Sequence, residues 1–221
     1  MKLRKDEVVL FQGDSITDGN RGRNEDPNHL LGHGYQYIIG AKMLLDNIDN
    51  NIKVYNRGVS GNRIADLYGR WLEDTISLKP TLLSVLIGIN DGLFGFYSKT
   101  GSSPERFERI YHMLLDEALE RCNDMRIVIM EPFCGKNFAG DDIRESVCGY
   151  IRSIQPVCRR VAEEYDAVYV PLQDIFDRYF ESYDHRDFIW DGVHPTIMGQ
   201  EIIARQWIKC VCEKYCEYQD V

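Results

Sequence analysis

Five short apolar runs, each followed by a helical stretch, constrain this chain more than any other feature of its sequence. They are Val8 to Phe11, Ile52 to Asn56, Leu82 to Ile87, Arg126 to Met130 and Ala167 to Val170. Each is strand-length and rich in β-branched or aliphatic residues, with turn residues at its ends. Amphipathic stretches separate them, beginning near Tyr35, Ile64, Ser103 and Ser146, with two more over Leu172 to Tyr183 and Thr196 to Cys216. Alternation of this kind builds a parallel sheet covered on both faces. The expected architecture is α/β, a five-stranded parallel sheet with a layer of helices on each face. With no internal repeat or linker, residues 1–221 read as one domain.

In such a sheet the carboxyl ends of the strands share one edge, and ligands bind there. The sequence places small polar signatures at three of those ends: Gly13-Asp14-Ser15, Gly58 with its neighbours, and Gly88-Ile89-Asn90-Asp91. A fourth, Trp190-Asp191-Gly192-Val193-His194-Pro195, opens the last helix. A serine hydroxyl becomes a nucleophile only when a base takes its proton. His194 is the best-placed base among the five histidines, because Asp191 three residues earlier can fix its tautomer. Gly58 offers a backbone N–H and Asn90 a side-chain amide as oxyanion donors, with the Ser15 N–H as a third. Asp14 and Asp18 read as loop-building carboxylates. Asp14, Arg57, Tyr97 and Trp190 are candidate substrate contacts, Arg57 having an ion pair as its alternative. His29 and His33 lie on a polar loop, with solvated side chains as the simplest reading. Phe94, Phe96, Tyr97 and Phe133 stand just past strand ends, where they would serve as sugar platforms or as core.

These blocks resemble the SGNH subgroup of the GDSL esterase/lipase family, whose four residues map onto Ser15, Gly58, Asn90 and His194, with Asp191 as the acid. The resemblance spans residues 8–200. It implies a flavodoxin-like three-layer α/β/α sandwich fold, ester hydrolysis through an acyl-enzyme, and no metal or organic cofactor. The first block reads Gly-Asp-Ser-Ile where the family name has Leu, an apolar exchange that leaves the chemistry alone. Gly-Asp-Ser-Ile-Thr-Asp, Gly-Val-Ser-Gly-Asn, Ile-Gly-Ile-Asn-Asp and Trp-Asp-Gly-Val-His-Pro together look like the bacterial intracellular acetylxylan esterases. That implies removal of a short acyl group, acetyl first, from a carbohydrate. The polar loop from Asn20 to Gly34 and the nearby aromatics suit such a substrate. A lysophospholipase or acyl-thioesterase is the alternative within the family, and a non-catalytic flavodoxin-like binding module the alternative outside it.

The formal charge of −9 argues against a nucleic acid or an anionic membrane surface as partner. A homo-oligomer is compatible with the sequence, although no stripe marks an interface. No apolar signal segment precedes the first strand, so a cytoplasmic location is expected. The seven cysteines then read as reduced, mostly buried thiols. A metal cluster of Cys210, Cys212 and Cys216 is disfavoured, since Cys210 faces away from the other two on a helix. Pro156 is expected to kink or restart the helix that contains it.

Overall fold

The computed structural model of the protein describes residues 1–24 and 26–215. Its elements run β1 (Val8–Gly13), α1 (Ser15–Asp18), α2 (Tyr35–Asp46), β2 (Lys53–Asn56), α3 (Ile64–Gly69) and α4 (Trp71–Asp74). There follow β3 (Leu82–Leu86), α5 (Ile89–Tyr97), α6 (Pro104–Arg121), β4 (Arg126–Met130), α7 (Asp141–Glu164), β5 (Val168–Val170), α8 (Gln173–Phe180) and α9 (Ile197–Tyr215). The five strands form one sheet in the order β2-β1-β3-β4-β5, every neighbouring pair parallel. This is the flavodoxin-like order expected above.

The chain leaves β1 for β2 on one side and returns to β3 on the other, so the order reverses between β1 and β3. Loops diverge at such a point and open a crevice at the carboxyl edge. The register sets its level: Gly13 pairs with Leu86, and Phe11 with both Ser84 and Asn56. Ser15, Asn90 and the loop after Asn56 therefore leave the sheet side by side.

β3 and β4 are buried along their whole length, as continuous apolar runs require. On one face, Phe11 packs edge-on against Tyr35 of α2 and at a tilt against Trp207 of α9, with centroids 5.8 and 5.6 Å away. The Trp207 indole donates to Ser84 Oγ of β3 at 2.9 Å, so α9 docks by a hydrogen bond as well as by area. On the other face Trp71 donates to the Leu114 carbonyl of α6 at 2.8 Å. At the amino edge, opposite the site, buried Glu7 pairs with Arg126 and accepts from Thr81.

Four expectations change. The helix expected from Ile64 through Ile76 divides at Arg70, whose non-helical backbone (φ −124°, ψ 12°) separates α3 from α4. Phe94, Phe96 and Tyr97, expected on a loop, lie on α5, which begins immediately after Gly88. Pro156 neither stops nor restarts α7, which runs unbroken through it. Its apolar stripe, including Val147, Ile151, Ile154, Val157 and Val161, is buried on both sides of the proline, and tertiary packing overrides the lost hydrogen bond. Last, Cys134 and Cys148 are not thiols. The loop after β4 approaches the start of α7 with the two Cα atoms 5.7 Å apart, and a disulfide joins them. Cys122 and Cys158 remain free and buried. These cysteines therefore do not mark a reducing compartment. No helix among the described residues is long and apolar enough to cross a membrane. Cys216 lies outside the described residues.

Candidate active site

β1 ends at Gly13, and the chain turns at once into the four-residue α1. The Asp14 carboxylate caps this turn by accepting from the Ile16 N–H at 3.0 Å. Ser15, the first residue of α1, is thus held at the crevice mouth. Its Oγ lies 2.9 Å from His194 Nε2. On the far side of the ring, His194 Nδ1 lies 2.7 Å from Asp191 Oδ2. The other oxygen, Asp191 Oδ1, accepts the N–H groups of Val193 and His194 at 2.9 and 2.7 Å. Alcohol, imidazole and carboxylate thus stand in hydrogen-bonded series, joining residues 179 positions apart in sequence.

Electrostatics favour the same direction of proton flow. The hydrogen bond that His194 donates to Asp191 raises the His194 pKa above the ordinary imidazole value, against the opposing effect of partial burial. Burial would raise the Asp191 carboxyl. The His194 ring and the two backbone N–H groups outweigh it and hold Asp191 below the usual range. Asp191 therefore stays ionised while His194 gains basicity, which suits a base orienting on a fixed anion.

The loop carrying this pair is closed by an Ile189–Pro195 bridge and by Trp190 N–H donating to the His194 carbonyl at 3.2 Å. Gly192 has φ +88°, and the Phe138 ring covers it at 2.7–2.9 Å from where a Cβ would stand. Only glycine meets both conditions. Gly135 N–H bonds to the Gly192 carbonyl at 2.7 Å, so the disulfide-anchored loop after β4 supports the Asp191–His194 loop directly.

The other side of the site differs from expectation. Gly58 N–H is taken by Asn56 Oδ1 at 2.9 Å, so Gly58 does not present a free donor. Asn56 is the reason: its Nδ2 is drawn toward the carbonyls of Thr17, Asp18 and Leu31 at 2.7–3.1 Å, which turns its oxygen onto Gly58. Gly61, three residues on, has φ +83° and open space where a Cβ would stand. Its N–H meets no protein acceptor among the described residues. It is flanked by Ser60, bound to Asp18 Oδ2 through both N–H and Oγ, and by Asn62, whose carbonyl accepts Asn90 Nδ2 at 3.0 Å. Asn90 thus keeps one amide hydrogen for another partner.

The candidate substrate contacts separate. Asp14 is 1% exposed, and burial pushes its carboxyl up to about 7. It is a cap rather than a substrate contact. Arg57 lies 3.8 Å from Asp74 and over the Tyr55 ring, the ion-pair alternative. Trp190, beside Asp191, is 62% exposed. Tyr97 is exposed at the end of α5, edge-on to Phe96. Phe133 is buried against Phe176 and belongs to the core. His29 and His33 are both exposed, the first near Asp26 and the second bonded to Asn20. Asp18 builds the loops as expected, accepting from Arg21, Arg23 and Ser60. Burial opposes its ionisation, but these donors hold its carboxyl low.

The model of the GDSL-like lipase/acylhydrolase family matches residues 11–202. An acetylxylan esterase of Geobacillus stearothermophilus is 33% identical over 223 residues, covering 95% of each chain. Among solved structures, a putative GDSL-like lipase from Parabacteroides merdae superposes with a TM-score of 0.89 at 32% identity, covering 96% of this chain and 99% of the other. Axe2, an acetylxylan esterase from Geobacillus stearothermophilus, gives 0.83 at 30% identity, over 99% and 100%. Catalytic mutants of Axe2 replace a serine, an aspartate and a histidine by alanine.

Proposed function

Since the chain belongs to the GDSL-like lipase/acylhydrolase family and is a carboxylic ester hydrolase, we propose that it removes acetyl groups from carbohydrate hydroxyls such as those of xylo-oligosaccharides. One observation carries the catalytic part: Asp191, His194 and Ser15 in series at 2.7 and 2.9 Å, beside Asn90 at the switch point of the sheet. Ser15 Oγ attacks the ester carbonyl as His194 Nε2 takes its proton. The ring becomes cationic, and Asp191 stabilises that charge. The carbonyl oxygen, now an oxyanion, is received by Ser15 N–H, Gly61 N–H and the second amide hydrogen of Asn90. His194 returns its proton to the departing sugar oxygen and the tetrahedral species collapses to acetyl-Ser15. Water, deprotonated by the same imidazole, releases acetate and regenerates the serine.

The similarity to acetylxylan esterases over nearly the whole chain supports a carbohydrate substrate. So do the exposed indole of Trp190 beside the triad and the polar, arginine-bearing loop at 20–34. An apolar groove of about 810 Å³ does run between α8 and α9, lined by Tyr179, Phe188, Ile197 and Met198 among others. Neither Ser15 nor His194 lines it, so an acyl chain on the serine has no apolar path there.

The test is hydrolysis of acetylated xylo-oligosaccharides with product mapping, beside acetyl, butyryl and octanoyl esters of one leaving group. The expected result is sugar deacetylation, with kcat/KM falling as the acyl chain lengthens. A rise with chain length would replace this reading by a lysophospholipase or thioesterase.

A further inference from the structure

One guanidinium bonds two of the segments that must be aligned around the proposed oxyanion and bears on the third through Asn62. Arg70, at the break between α3 and α4, donates from Nε to Asn62 Oδ1 at 2.7 Å. Its Nη1 donates to the Arg57 carbonyl at 2.8 Å and to Asp74 Oδ2 at 2.9 Å. Its Nη2 reaches the Gly13 carbonyl at 3.2 Å. Gly13 ends β1, two residues before Ser15. Arg57 and Asn62 bracket the loop that carries Gly61, and Asn62 in turn holds Asn90 through its carbonyl.

These acceptors lie on three stretches of chain and are satisfied together only by a rigid, multi-donor fork. The side chain is 16% exposed, so water competes poorly for the same acceptors. Asp74, one turn later, fixes the fork's orientation, and its own backbone carbonyl accepts from Gln12 of β1 at 3.0 Å.

We propose that Arg70 is a positioning residue for ester hydrolysis, clamping the Gly13–Ser15 turn to the Arg57–Asn62 loop so that the oxyanion donors are in place before substrate arrives. This rests on the roles given above to Ser15, Gly61 and Asn90. Arg70 touches no substrate atom, so its removal acts on kcat and leaves KM nearly alone. Lysine offers one point charge in place of the fork and cannot hold all three stretches.

The experiment measures kcat, KM and thermal midpoint for the wild type, Arg70→Lys, Arg70→Ala, Asn62→Ala and the Asn62→Ala/Arg70→Lys double variant. Arg70→Ala is also assayed with added methylguanidinium. Every protein is first titrated with an organophosphate, with the labelled residue mapped. In Arg70→Lys, kcat is expected to fall about 10- to 100-fold with KM within about twofold, as for lost transition-state donors. Asn62→Ala is expected to cost less and to be non-additive with Arg70→Lys, because it removes one acceptor of the same fork. Methylguanidinium is expected to restore part of the activity of Arg70→Ala. If that variant does not fold, Arg70→Lys and the cycle decide alone. Unchanged kcat in folded Arg70→Lys overturns the proposal, as does a loss carried equally by KM or a strictly additive cycle. A wild type that is not labelled at Ser15 overturns the reading of the site itself, and the role of Arg70 with it.

Discussion

The loops after β1, β2 and β3 are fastened to one another by side chains, whereas the loop bearing Asp191 and His194 is held by backbone bonds, one of them to a neighbouring loop that a disulfide anchors. On the first side, Asn56 bonds four backbone groups, Asp18 gathers Ser60 and two arginines, and Arg70 grips three stretches of chain. On the second side, a backbone bridge, one inter-loop N–H bond, the Phe138 ring over Gly192 and the Cys134–Cys148 disulfide do the holding. The contrast follows the chemistry. Oxyanion donors are useful only if fixed beforehand. An imidazole that must exchange protons first with a serine and then with water is better kept partly solvated, and His194 is 42% exposed in its side chain. Substitutions on the first side should therefore cost activity and stability together, while those on the second should separate the two.

Asp191→Asn probes the second side with the largest expected effect, a loss in kcat of about a thousandfold or more. It also has a pH signature. The base works only when neutral, and Asp191 raises the pKa of His194, so wild-type kcat/KM rises through a raised His194 pKa. Without the carboxylate that acid limb is expected to move to lower pH even as the upper plateau falls. A limb that stays in place would detach it from His194.

Asn56→Ala probes the first side. It leaves the Thr17 carbonyl without its donor, removes one of two donors from the Asp18 and Leu31 carbonyls, and releases Gly58 N–H. Unpaired buried groups cost about 1–3 kcal/mol each, so a loss of at least about 2–3 kcal/mol in denaturant unfolding is expected, with kcat falling alongside. Retained kcat in a destabilised protein would break the comparison.

Cys134→Ser with Cys148→Ser should do the reverse. Opening a loop of separation 14 is expected to cost about 2–4 kcal/mol, while kcat changes by less than about tenfold. The remaining Gly135–Gly192 bond and the Ile189–Pro195 bridge still close the base loop.

Asp14→Asn is expected to change stability alone, and only at neutral pH and above. Burial pushes this carboxyl up to about 7, so the folded state keeps its proton where the unfolded chain has lost it. Its contribution to stability is present in acid and is lost as pH rises toward 7. The amide caps as well as the acid does. Asp14→Asn is therefore expected to melt with the wild type at about pH 4 and above it at pH 8. A pH-independent difference would contradict the buried proton.

What the sequence made legible was whatever chemistry sits on neighbouring residues. Asp191 and His194 share one loop, and Ser15 and Asn90 each close a strand, so spacing and strand order placed them correctly. Gly58 was misjudged because the availability of an N–H depends on Asn56, whose amide is turned by carbonyls of α1 and of the polar loop. The pattern held no sign of that; a positive φ at Gly61 becomes visible only in three dimensions. Arg70 escaped notice because the two acceptors that tie it to the site, the Arg57 and Gly13 carbonyls, are backbone groups that every residue has. The disulfide escaped because a separation of 14 says nothing about which cysteines meet. The helix of α5 was hidden by its glycines, and Pro156 by the weight given to one lost hydrogen bond against a long buried stripe.

The most direct measurement is mass-spectrometric mapping and the rate of organophosphate modification in the wild type and in His194→Ala. The expected result is one adduct per chain, on Ser15, with modification slowed at least a thousandfold when the imidazole is gone, as for a serine deprived of its base. An adduct on another residue, or equal rates in the two proteins, would contradict the account.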